Sequence, residues 1–197
     1  WSTDGNIEKI TAPFVLNALR LASSIPDNTF NLAEKIADRN EFNNRLAGAI
    51  RNCDCGYVIV LGKPGAGKST AINTFDHSQN DFDVSVYNCY TGTSDNYLRK
   101  RAKHGNFVNF LTKQLQSLGL CNRLKSSPDE LERILHIASA NLTKRNQKLC
   151  VFVDGLDYAR RFASQNQPNL IDCLPPNLPE NVVFVVSAQV AEQLPDH

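Results

Sequence analysis

The sequence predicts an α/β fold with a central parallel sheet covered by helices on both faces, and three observations carry that expectation. Short apolar runs recur at Tyr57–Leu61, Leu149–Val153 and Val182–Val186, with an alternating β-rich run at Val84–Tyr90. Stretches with helical spacing of apolar residues separate them. Strands that are apolar on both faces belong to parallel sheets, because the crossover helices cover both sides. A glycine-rich segment, Gly62 to Ser69, follows the first run directly.

Taken in chain order, residues 7–24 place Ile7, Ile10, Phe14, Val15, Ala18, Leu19 and Ala22 at helical spacing, and Pro26 ends that helix or lies just past its end. A second helical pattern runs through Leu32, Ile36, Phe42, Leu46 and Ile50, and Gly56 separates it from the first strand. Residues 1–30 are therefore expected to form an N-terminal helical linker or appendage, and 31–197 the main domain. A helix should run from Gly67 to about Phe75, followed by a polar, turn-like stretch at 76–82. After the second strand, Phe107, Phe110, Leu111, Leu115 and Leu118 make one helix face, with Gly119 as a C-cap. Ser127-Pro128-Asp129-Glu130 opens the next helix, with proline at its first position. That helix carries Leu131, Ile134, Leu135, Ile137, Ala138 and Leu142. The third strand, a proline-rich loop at 175–179 and the fourth strand complete the chain.

The 197 residues fit one domain with a small appendage. Hydrophobic content of 42% and charged content of 21% are ordinary for a globular protein. A formal charge of +1 argues against a global nucleic-acid or membrane binder. No apolar run is long enough to span a bilayer and no cleavable leader pattern stands at the start, so a cytoplasmic location with no membrane partner is the default expectation. The six cysteines are irregularly spaced and lack the paired pattern of a zinc set. Cys89 and Cys150 lie in strand-like runs and read as buried free thiols, which fits a reducing compartment. The chain starts with Trp1 and holds no methionine, so the natural protein is expected to be larger.

Gly62-Lys63-Pro64-Gly65-Ala66-Gly67-Lys68-Ser69 reads G-x-x-x-x-G-K-S between a strand and a helix, the context a phosphate-binding P-loop requires. Glycines at 62, 65 and 67 open backbone torsions closed to other residues, so successive N–H groups can converge on one anion. The helix start, through Thr70, adds unpaired N–H groups and the positive end of its dipole. Lys68 supplies a point charge for the outer phosphates, and Ser69 a hydroxyl for Mg2+. The chemistry implied is binding of a nucleoside triphosphate, on the three-layer αβα fold of P-loop NTPases.

Asp154 ends the strand Leu149–Val153, in Asp154-Gly155-Leu156-Asp157. A carboxylate at the C-terminal end of a buried parallel strand lies at the crevice where such sheets bind ligands. Asp154 is the candidate Mg2+ carboxylate opposite Ser69, and Asp157 could orient or deprotonate an attacking water. A D-G turn that merely leaves the strand is the competing interpretation. Ser187 and Gln189 end the fourth strand, and Ser187 is a candidate polar sensor of the terminal phosphate. Arg99-Lys100-Arg101, with Lys103 and His104, reads as a solvated helix face. A nucleic-acid contact there has no interleaved aromatic support beyond Tyr97.

Together these segments resemble the STAND class of signalling NTPases, relatives of the NACHT and AP-ATPase groups. Asp38-Arg39-Asn40-Glu41, with Phe42 and Leu46, looks like the class's GRxxE element, with Asp38 in place of glycine. That resemblance implies a place for Arg39 near the nucleotide base. Val151–Asp157 is similar to the class's hhhhDGhDE strand, with Tyr158 where the last acid would stand. Leu178-Pro179-Glu180-Asn181 and the strand to Ser187 look like its LP…TSR segment, with Gln189 where arginine is usual. Tyr87–Tyr90 and Asn109-Phe110-Leu111 look like bacterial members, many of which act in antiphage defence. The resemblance implies a Mg2+-dependent ATP/ADP switch with slow turnover, gated by self-association or a protein trigger. A P-loop kinase, an AAA-type ATPase acting on a small molecule or nucleic acid, and a scaffold that only holds nucleotide are the alternatives.

Overall fold

The structure is a computed structural model that describes residues 7–10, 40–62, 65–75, 82–90, 100–122, 130–161, 170–171 and 174–189. In chain order the elements are β1 (Ile7–Ile10), α1 (Asn40–Arg51), β2 (Gly56–Gly62), α2 (Lys68–Asn73), β3 (Phe82–Asn88), α3 (His104–Ser117), α4 (Leu131–Arg145), β4 (Lys148–Asp154), α5 (Leu156–Arg161) and β5 (Val182–Gln189). The five strands form one sheet in the order β1-β2-β5-β4-β3. The pairs β2–β5, β5–β4 and β4–β3 are parallel, and β1 joins β2 antiparallel. The expected α/β architecture with a parallel sheet is present.

Strand side chains alternate between two apolar clusters, one on each face of the sheet. Tyr57, Ile59, Val151, Val153, Phe184 and Val186 share a cluster with Phe107, Leu111 and Leu115 of α3 and Ile134, Leu135 and Leu142 of α4. Val58, Val60, Cys150, Phe152, Val183 and Val185 share the other with Leu46 and Ile50 of α1 and Ile72 of α2. Every one of these side chains is at most 2% exposed, which is why β2, β4 and β5 read as unbroken apolar runs.

Three expectations need correcting. Residues 7–10 form a strand where a helix from 7 to 24 is expected; residues 11–39 lie outside those described. Ile7 and Ile10 fit a helical period, but β2 has an edge whose N–H and C=O groups need partners, and β1 supplies them, with Ile7 opposite Val60 and Ile10 opposite Tyr57. Strand β3 spans Phe82–Asn88, two residues earlier than the expected Val84–Tyr90, so Phe82 belongs to the sheet and not to the preceding turn. The basic cluster near 100 is a solvated face only in part: Lys100 is exposed, and Arg99 lies outside the described residues. The Arg101 guanidinium lies 3.9 Å from the centroid of the Tyr87 ring, its Nε donates to the Asn88 carbonyl at 2.8 Å, and His104 is buried.

The helix ends show how neighbouring elements are locked. Gly119, at φ 67°, ends α3, with Leu120 N–H returning to the Leu115 carbonyl at 2.8 Å and Gly119 N–H to Gln116 at 3.0 Å. This is a Schellman closure that favours glycine. Arg145, at the end of α4, donates to the carbonyls of Leu118 and Gly119 at 2.9 and 2.8 Å, tying the two helix ends together. Lys148, at the start of β4, donates to the carbonyls of Ile50, Arg51 and Cys53 at 3.1, 3.0 and 2.8 Å. One ammonium thus caps the C-terminal end of α1 from the start of β4.

Cys53, Cys89, Cys121 and Cys150 are buried cysteines outside any disulfide, as expected for Cys89 and Cys150. Burial pushes the Cys150 thiol from 9.0 up to about 12, against a weaker opposing pull from Lys148. Among the described residues no helix is long and apolar enough to cross a membrane.

Two measurements test this packing. Lys148→Met keeps the aliphatic stem but removes all three donors, and should cost ~1.5–3 kcal/mol in urea unfolding with an unchanged m-value. The thiol shift predicts alkaline sensitivity. Below pH ~9 both folded and unfolded chains keep the Cys150 proton; above it, up to the folded pKa, only the unfolded chain releases it. Stability should therefore fall by up to ~1.4 kcal/mol per pH unit over that window from this group alone. Cys150→Ala should flatten the profile there, and an unchanged slope would contradict the assignment.

Candidate functional site

The parallel register brings the carboxyl ends of β2, β5 and β4 side by side. Val60 lies opposite Ser187, Gly62 opposite Gln189, and Val153 opposite Val186. Position 154 follows at the end of β4 and is paired to Asn88 of β3. Because β5 sits between β2 and β4, the glycine-rich loop and Asp154 flank one strand end, that of Ser187.

The loop leaves β2 at Gly62. Gly65 and Gly67 hold φ of 75° and 82°, in the left-handed region that favours glycine. A Cβ at Gly62 would stand 3.4 Å from both the Ala66 Cβ and the Lys68 Cδ, so the loop folds tightly over its own start. Lys68 Nζ donates to the Gly62 carbonyl at 2.6 Å, which holds the ammonium over the loop. Ser69 and Thr70 are exposed on α2. Lys63 and Pro64 lie outside the described residues, as does Arg39.

On the other side of β5, Asp154 is 4% and Ser187 2% exposed. The Ser187 hydroxyl donates to Asp154 Oδ1 at 2.5 Å and accepts the Gly155 N–H at 2.8 Å. The Asp154 carbonyl accepts the Cys89 N–H at 2.8 Å, fixing the main chain as it leaves the sheet. Gly155 then turns at φ 74°, and α5 begins at Leu156. Asp157 falls in the first turn of α5, and its side chain is outside those described. Ser187, the expected sensor of a terminal phosphate, gives its hydroxyl proton to Asp154 in this structure.

Tyr158, at the position where the resembled class has an acid, stacks on Tyr90 with ring centroids 4.5 Å apart and planes 26° apart. Tyr90 is 41% exposed, so this aromatic pair forms a rim beside the Gly155 turn.

The structure adds residues that sequence reasoning missed. Asn73 of α2 donates to the Ser69 carbonyl at 2.7 Å, and its Oδ1 accepts from Asn88 Nδ2 at 3.2 Å. Asn88 ends β3, and Arg101 holds its carbonyl. The signal available was position, since Asn88 is a polar residue at the carboxyl end of a strand. The misplaced end of β3 concealed it.

Two further features bear on ligands. Among the described residues no group of three or more His, Cys, Asp or Glu side chains could hold a metal unaided. A cavity of about 180 Å3 opens at the opposite, amino-terminal end of the strands, lined by Arg51, Phe82, Asn146, Gln147, Lys148 and Asn181. Lys148 already directs its donors at three carbonyls, so the lysine of this cavity has none left for an anionic ligand.

No protein-family model matches the chain, and no curated protein matches it. The chemistry of the site therefore rests on its own residues.

The turn after Asp154 is testable through its glycine. Gly155→Ala places a Cβ 3.3 Å from Tyr158 Cδ2 at a backbone conformation that costs ~1–2 kcal/mol for other residues. The melting temperature should fall by roughly 2–8 °C. Gly48→Ala, in the helix α1 with open space around the new methyl, should hold it steady or raise it.

Proposed function

We propose that this chain is the nucleotide-binding module of a STAND-type regulator, a P-loop NTPase that binds ATP/ADP with Mg2+ and hydrolyses slowly. The observation that carries the reading is the pairing of a G-x-x-x-x-G-K-S loop at the end of β2 with a buried aspartate across β5. Either alone has a bland explanation, a glycine-rich turn or a D-G strand exit. Their placement on one edge of a parallel sheet, where such sheets take ligands, favours the functional one.

The residues present fit the group. Two of the loop's glycines, Gly65 and Gly67, are in conformations that other residues rarely adopt. Gly62, Lys63, Pro64, Gly65, Ala66 and Gly67 would cradle phosphates with backbone N–H groups, proline excepted. Lys68 would exchange its bond to the Gly62 carbonyl for a phosphate oxygen. Ser69 and Asp154 offer hard oxygen donors of the kind Mg2+ prefers, completed by phosphate and water. The bound Mg2+ would neutralise charge on the outer phosphates. Thr70 would add a backbone donor, and Arg39 a contact near the base.

Slow turnover follows from what stands beside Asp154. Tyr158, an aromatic, occupies the place of the second acid and is stacked on Tyr90. Asp157 remains the one carboxylate proposed to order a water. A switch of this kind would be gated by self-association or a protein trigger.

Calorimetry with ATP and Mg2+ tests the reading. Lys68→Ala removes a charge-assisted contact worth ~1.5–3 kcal/mol and should abolish measurable binding, while the melting temperature stays within about 3 °C of the wild type. Unchanged affinity would overturn the assignment. Steady-state turnover should lie well below ~1 s−1, the low end for self-sufficient enzymes, and faster turnover would favour a metabolic or motor enzyme.

A further inference from the structure

The Ser187–Asp154 contact assigns a role that the motif pattern does not contain. A serine hydroxyl has one proton to give and lone pairs to receive. Here the proton goes to Asp154 Oδ1 and a lone pair takes the Gly155 N–H. Little of either side chain meets solvent, so bulk water competes poorly for these two bonds. The Asp154 main chain is fixed independently by the Cys89 N–H and by pairing with Asn88. The side chain is what remains to be aimed, and Ser187 aims it.

We infer that Ser187 is a positioning residue which orients the Asp154 carboxylate for a hydrated divalent cation, and does not itself read the terminal phosphate. The inference rests on the nucleotide-binding reading above and specifies how its metal half is built. With Oδ1 committed to Ser187, the arriving cation, or a water in its shell, meets Oδ2. The partner matters chemically because a neutral hydroxyl fixes geometry without cancelling the carboxylate's charge. A lysine or arginine in its place would compete with the cation. The Gly155 N–H keeps the hydroxyl proton pointed at Asp154, because a donor occupies the lone-pair side. A direct phosphate sensor would need that same proton, and it is already spent.

The test is a titration of a fluorescent ATP analogue with and without Mg2+, on the wild-type chain, Ser187→Ala and Ser187→Thr. In EDTA all three should bind the analogue equally, since the loop from Gly62 to Ser69 is untouched. With Mg2+ present, the Mg2+ concentration for half-maximal effect should rise ~10–100-fold in Ser187→Ala, the usual loss when a ligand's hydrogen-bond partner is removed. Ser187→Thr keeps the hydroxyl and should restore the wild-type value to within roughly threefold, well inside that range. The idea is overturned if Ser187→Ala keeps the wild-type Mg2+ dependence, or if threonine fails to rescue it. It is also overturned if alanine weakens binding equally in EDTA, which would mark a structural or phosphate-reading role. If the wild type binds no analogue under either condition, the nucleotide reading itself falls and this inference falls with it. A wild type that binds normally leaves the role of Ser187 as the only thing at stake.

Discussion

The placement of β5 between β2 and β4 is the constraint on which the rest of this molecule depends. A strand hydrogen-bonded on both sides and apolar on both faces has no freedom of register, since a slip of one residue would exchange its two sets of side chains. Val183 and Val185 face one cluster while Val182, Phe184 and Val186 face the other. That alternation holds β2 and β4 in step with each other through β5. It is also what brings Gly62, Ser187 and Asp154 to one edge, although they lie far apart along the chain.

The chemistry at that edge follows from burial. A carboxylate removed from water is costly unless its oxygens are satisfied. Asp154 Oδ1 takes its bond from a neutral hydroxyl, that of Ser187. The lysine of the glycine-rich loop shows the complementary arrangement, a cation held on its own loop's carbonyl.

Much of this was legible in the sequence. The three buried strands were visible because parallel pairing with both faces covered demands unbroken apolar runs, and they fall within a few residues of the observed spans. The Gly119 closure was legible because its left-handed conformation selects for glycine. What stayed hidden was set by tertiary context. β1 is a short edge strand created by the need to satisfy β2's backbone, and its two isoleucines suited a helix equally well. Arg101 has the look of a surface charge until the fold lays it over Tyr87. In the site, the loop and Asp154 were visible as motif and position. The bond between Ser187 and Asp154 was not, because no local pattern encodes which side chains a shared register will bring into contact.

The connection from β2 to β5 also has a temporal side. Gly56 pairs with Val183, so the sheet's centre joins segments far apart in the chain. Long-range pairings of this kind close late, after the loop entropy between them has been overcome. On a ribosome, β2 and its glycine-rich loop emerge long before the strand that must lie beside them. Until β5 arrives, β2 and β4 each lack a neighbour and expose an unpaired apolar edge. The nascent chain is thus most vulnerable to misassociation during the interval before its last described strand is made, and the phosphate loop acquires its neighbours only once that strand has emerged.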